Sequence, residues 1–378
     1  MKRYYIFFFL LIFSPVASEA QLAFFKPGWA ADSMKHAVDQ LYNYQFAKAT
    51  QTIAPVRRID PGNPAIQIFD CLQIYWKFFP VSTHPAEYLK YISSLHKALD
   101  YTNKLVKKDE TNAENSFYAL LLNIMIAKQM FEDGDRWKAT QHAMDAFAFI
   151  KKGFVWQEKY QEYYLTTGLY KYYREFFPLM NPVYKPLMSV FPPGNIQEGL
   201  YFLERATVYS VFVKAEAMMY SSYINLRYQN DKKQGLHFAS MMNSQYPENY
   251  LFKVLYIENL IQSADYEHAR VELNKLITSP ISFYKLPAAL FRGMLEEKYA
   301  HDTDEALKWY LNVISLGVPV TKANTNYVGL AHYQIANIYK QKGNTVKAKE
   351  HFKKAEDYCQ YVVVKKDAKI QSEKQKGK

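Results

Sequence analysis

Polar and apolar positions along this chain recur with a helical period. Seven stretches share one pattern, an Asp or Asn followed four residues later by Ala or Gly, then an apolar stripe at three- and four-residue spacing. They start at Asn43, Asp135, Asn195, Asp231, Asp265, Asp302 and Asn344, which puts the small residue at Ala47, Ala139, Gly199, Gly235, Ala269, Ala306 and Ala348. The last five small residues are spaced by 36, 34, 37 and 42 positions. Two helices joined by a tight turn occupy about 34 residues, and each pair offers its apolar face to the next. In that geometry the Asp or Asn ends the turn and accepts a backbone N–H at the start of the second helix. The small residue lets the partner helix approach closely. No stretch alternates with period two for long, so the predicted fold is all-α: an α-α superhelix of antiparallel helix pairs without significant β-sheet.

The wider spacings predict where the repeat is interrupted. Between Ala47 and Ala139 lie two further helices, "AIQIFDCLQIYWKFF" and "AEYLKYISSLHKALDYTNKLVKK", separated by "PVSTHP". Between Ala139 and Gly199 lies "PLMNPVYKPLMSVFPPG", whose five prolines prevent a continuous helix. The array is therefore expected over residues 21–364, irregular to about 210 and regular over about 211–364.

"YQEYYLTTGLYKYYREFFP", residues 160–178, is the most aromatic segment. On a helix, Leu165, Leu169, Tyr170, Tyr172, Tyr173, Phe176 and Phe177 share one broad arc facing neighbours, with Gly168 at its edge. Tyr160, Tyr163 and Tyr164 fall on the charged side with Lys171, Arg174 and Glu175, which makes them candidates for an exposed binding surface beside the proline-rich insert.

The last unit, "YVGLAHYQIANIYKQKGNTVKAKEHFKKA", carries Ala336, Tyr339, Gly343, Ala348, Phe352 and Ala355 at intervals that resemble the tetratricopeptide repeat family. Ile335 stands at the usual leucine position, and His332 stands where that family often has tryptophan. Residues 165–205 resemble the long-insert repeat of the tetratricopeptide repeat protein 39-like family, through Gly168-Leu169, Pro178 and the Gly194-Asn195 turn leading to Gly199-Leu200. The resemblance implies a concave surface lined by first helices. Its groove positions fall on Tyr220, Ile224, Arg227 and Tyr228, and in the last unit on Tyr333, Asn337 and Lys340. Arg227 and Lys340 are placed to meet a carboxylate, and the tyrosines supply flat amphipathic contact area. Val254, Glu258 and Ile261 fall at the corresponding places between them, so the Lys and Asn of a carboxylate-clamp groove are not reproduced.

The termini change the picture. Lys2 and Arg3, an apolar run from Ile6 to Phe13 and Ser18-Glu19-Ala20 read as a signal peptide over residues 1–20, cut after Ala20, and no cysteine follows to carry a lipid anchor. The expected location is periplasmic or extracellular. Residues 365–378, "KKDAKIQSEKQKGK", read as a basic, disordered tail whose one role would be peripheral contact with anionic lipid. Without the signal and the tail, the net charge of +11 falls to +6, and arginine supplies 9 of 47 basic residues. Neither suits nucleic-acid recognition.

No chemistry-bearing motif stands out. The nine histidines form no metal-ligand spacing, and "HExxH", "CxxC", "GxSxG" and a glycine-rich phosphate loop are all missing from the sequence. His142 and His351 take equivalent places before a packing position and read as structural. Cys71 and Cys359 read as small buried apolar residues. The expectation is a non-enzymatic protein without cofactor or metal, an exported scaffold that binds a protein or peptide partner on its concave surface. The alternative is a small-ligand binder, for a glycan, with a tyrosine-lined groove.

Overall fold

The computed structural model describes residues 22–180, 182–316 and 324–374; the signal segment lies outside them. It is all-α, with no strand among the described residues. In the first half run α1 (Trp29–Tyr42), α2 (Phe46–Ile59), α3 (Pro64–Lys77), α4 (Pro85–Lys108), α5 (Ala113–Glu132), α6 (Arg136–Trp156) and α7 (Tyr163–Met180). After the short α8 (Lys185–Met188) come α9 (Ile196–Tyr209), α10 (Lys214–Ile224), α11 (Lys232–Gln245), α12 (Tyr250–Gln262), α13 (Tyr266–Ile277) and α14 (Lys285–Lys298). The chain ends with α15 (Thr303–Ser315), α16 (Thr325–Gln341), α17 (Thr345–Tyr358) and α18 (Val362–Lys374). Consecutive helices pack on one another: α1 on α2, α5 on α6, α7 on α9, α10 on α11, α14 on α15 and α16 on α17.

One turn recurs at six of these junctions. A residue in the left-handed region (Tyr44, Gly134, Asn230, Ala264, His301 or Gly343) precedes the N-cap of the next helix. Four residues past that cap stands a buried small residue: Ala49, Ala139, Gly235, Ala269, Ala306 or Ala348. The caps at Asp135, Asn195, Asp231, Asp265, Asp302 and Asn344 each accept the backbone N–H three residues on. Asn43 departs from the expectation. Its turn runs two residues longer, so Gln45 takes the cap position without a side-chain bond, and Ala49 rather than Ala47 is buried. Asn43 instead accepts the amide of Glu248 at 2.9 Å, tying α1 to the chain ahead of α12.

That contact belongs to a set that folds the first half against the second. Asn249 donates to the Tyr42 carbonyl at 2.8 Å, and Tyr246 donates to Asp39 at 2.8 Å. Phe79 meets Phe283 edge-on at 5.2 Å, and Tyr44 packs on Tyr250 at 6.1 Å. Phe24 meets Phe212 at 6.3 Å, and the amides of Phe24 and Phe25 donate to Glu114. Part of the aromatic richness thus lies between the two halves.

The tail departs from expectation too. Residues 362–374 form helix α18, which packs on α16 and α17. Tyr361, Ala368 and Ser372 are buried and Val364 and Gln371 half-buried, an inward stripe at three- and four-residue spacing. Only Tyr361 and Val364 in this seam are large and apolar, so lysine-rich composition conceals it. Residues 375–378 lie outside the described ones.

Candidate functional site

Where the two halves face each other they leave a cavity of about 420 Å³, within the range of small-ligand sites. Six tyrosines line it: Tyr75 from α3, Tyr173 from α7, Tyr220, Tyr223 and Tyr228 from α10 and the turn after it, and Tyr327 from α16. That turn, Asn225–Gln229, is π-helical and closes on Asn230 in the left-handed region. The wider coil shifts the side-chain register, so Tyr223, Arg227 and Tyr228 all reach one space.

Arg227 is the cavity's anchored cation. Its guanidinium donates to Glu258 at 2.5 Å and to Gln360 at 3.0 Å, and lies over the Tyr223 ring at 4.6 Å. Burial opposes its charge, but Glu258 and the surrounding phenols outweigh burial and hold it protonated. Gln360 also accepts from Tyr223 at 2.7 Å, and Tyr223 and Tyr228 hydroxyls lie 3.0 Å apart.

Lys128 and Glu132 are differently placed. One turn apart on α5, both line the cavity and are exposed. The Lys128 ammonium donates to Tyr75 Oη at 2.9 Å and sits 4.8 Å from that ring's centre. Burial raises the Glu132 pKa, and Lys128 counters part of that rise. Beneath them Glu216 accepts from Tyr42, and burial pushes its carboxyl up to about 7.

No family model matches this chain, and no curated protein matches it. The geometry therefore carries the functional argument alone.

Of the nine residues singled out in the sequence, Tyr220, Arg227 and Tyr228 come together at the cavity. The remaining six do not form an open groove. Tyr163 and Tyr164 are buried, because α7 is wedged between neighbours on both sides. Tyr163 donates to the Ala113 carbonyl at 2.8 Å, and Tyr164 stacks on Phe202 at 5.6 Å. Tyr160 precedes the helix and packs on Phe25 at 5.4 Å. Phe177, expected inside, is exposed and stacks on Tyr173. Tyr333 donates to Asp367 at 2.8 Å and Lys340 to Gln371 at 3.0 Å, so α18 engages two of the three residues on the face they share with Asn337. Val254, Glu258 and Ile261 are buried, and the carboxylate that Arg227 meets is the chain's own.

Sequence reasoning missed Tyr75, Lys128, Glu132, Tyr223, Tyr327 and Gln360 as site residues. One signal was legible: Lys128 is the single charged residue inside the run "LLLNIMIAKQMF". Among the described residues no cluster of three metal-ligating side chains occurs, and no helix is long and apolar enough to cross a membrane. Both cysteines are buried thiols.

Proposed function

We propose that this chain is an exported, non-enzymatic helical-repeat protein of the tetratricopeptide type that binds a small glycan in the tyrosine-lined cavity. The single observation that carries this reading is the cavity between the two halves, where six tyrosines line one space. Aromatic rings stack on the apolar face of a sugar while phenol oxygens meet its hydroxyls. The signal-like residues 1–20 support export, and the six recurring turns support the repeat family. A broad glycan panel tests the reading by thermal shift. A ligand that binds the folded state raises the melting temperature by mass action, and Tyr220→Ala should remove the shift. A panel that leaves the melting temperature unchanged sinks it.

A second reading, the protein-interaction scaffold, draws on α6. Its inward face consists of Ala139, Ala146 and Gly153, while Trp137 (72% exposed), Met144 and Val155 (79% exposed) stand on the opposite side at helical spacing. In-cell crosslinking from position 144 that returns one dominant protein would favour it.

A further inference from the structure

The cavity carries more polar capacity than the fold uses. Among the described residues, Tyr173 and Tyr220 hydroxyls and the Glu132 carboxylate make no hydrogen bond within the chain, and Lys128 uses one of its three donors, on Tyr75. The charges around this space fall into two groups. Arg227 is neutralised by Glu258, and Asp133 at the rim accepts from Tyr88 and Gln129. Lys128 and Glu132 are the pair with capacity to spare, one cation and one carboxylate a helical turn apart on α5, both lining the cavity and exposed.

Resting on the glycan reading, we infer that the Lys128–Glu132 pair reads a vicinal diol of a neutral sugar and rejects charged ones. A donor-only ammonium and an acceptor-only carboxylate side by side match adjacent hydroxyls, one accepting from Lys128 and the other donating to Glu132. A uronic acid brings its carboxylate against Glu132, and an amino sugar brings its ammonium against Lys128. Each is a like-charge contact, so each is disfavoured against the neutral sugar. Glu216, which does not line the cavity, accepts from Tyr42. The unengaged Tyr173 and Tyr220 hydroxyls extend the same recognition to further ring oxygens.

The test uses the full chain and calorimetric titration with three matched probes: a neutral disaccharide, its uronic-acid form and its amino-sugar form. The neutral probe should bind tightest to the unmodified protein. Lys128→Met and Glu132→Gln should each weaken it by about tenfold, the loss of one charge-assisted hydrogen bond. The two variants should also change preference in opposite senses, Glu132→Gln gaining for the uronic acid and Lys128→Met gaining for the amino sugar. A merely structural role would move all three probes together, and Lys128→Arg, which keeps the charge and donors, should retain the order. If the uronic acid or the amino sugar binds tightest to the unmodified protein, the diol inference is overturned while the glycan reading stands. If no probe binds, both fall.

Discussion

Arg227 and Glu258 form a buried ion pair, their nitrogen and oxygen 2.5 Å apart with 5% and 1% of the two side chains exposed. Glu258 also accepts from Tyr361 at 2.9 Å, so the pair joins the turn after α10, helix α12 and the segment leading into α18. Removing one partner leaves a buried charge uncompensated, which typically costs about 3–5 kcal/mol. Arg227→Met should therefore lower stability by about that amount in urea melts. Arg227→Met with Glu258→Gln, which keeps an acceptor for Tyr361, should regain more than half of it; a double variant as unstable as the single would show that packing, not charge, holds this junction.

Gly168 and Gly199 set the approach of α7 and α9. A Cβ at position 168 would stand 2.9 Å from the Gly199 carbonyl oxygen and 2.9 Å from the Leu203 amide nitrogen, both backbone atoms that cannot rotate away. Gly168→Ala should cost about 1–3 kcal/mol by overpacking, where an alanine in a helix would otherwise be favoured. A melting temperature equal to or above the unmodified protein would refute the close contact.

His332 and His351 face each other through their Nδ1 atoms at 2.8 Å. Burial, with His351 and Lys354 adding to it, pushes the His332 imidazole down to about 4, and burial lowers His351 as well. A histidine whose folded pKa is depressed binds its proton more readily in the unfolded chain. Its contribution to stability is therefore complete above about pH 6.5 and declines as pH falls toward 4. Glu162 and Glu216, whose carboxyls burial pushes up to about 7, act in the opposite sense: their contribution is complete below about pH 4.5 and is lost as pH rises through 7. The useful measurement is the difference between His332→Phe and the unmodified protein, which should favour the variant by an extra ~2 kcal/mol at pH 4.5 relative to pH 7.5. A pH-independent difference would mean that His332 titrates alike in the folded and unfolded chains.

The arm before α1 is held by specific groups. The Leu22 amide donates to Asp60 at 2.9 Å, the Leu22 carbonyl accepts from Asn63 at 2.9 Å, and Phe24 is buried. Phe24→Ala should destabilise the protein by about 3 kcal/mol and raise hydrogen exchange in residues 22–25 before any other segment. Unchanged exchange there would show the arm to be dispensable.

Local structure was legible in the sequence because its causes are local. Asp135, Asp231, Asp265, Asp302 and Asn344 cap helices through atoms three residues away, and Ala269, Ala306 and Ala348 are small because the paired helix crosses there. The helix–turn–helix period, the breaks around α3 and the proline-rich interruption after α7 follow from the same short-range physics. Asn43 shows the limit: a turn two residues longer moves the cap to Gln45, and nothing in the composition of the stretch records it.

What tertiary structure alone decided is which faces remain open. Tyr163 and Tyr164 lie on the charged side of a helical wheel, yet a helix with neighbours on both sides buries both sides. The lysines of α18 suggest solvent, yet one seam of Tyr361, Ala368 and Ser372 is enough to dock a helix that bonds Tyr333 and Lys340. Helical period names the residues that share a face; it carries no information about partners some two hundred residues away. The contacts between α1 and α12, between Phe79 and Phe283, and around Arg227 are of that kind, and they turn scattered tyrosines from five elements into one cavity.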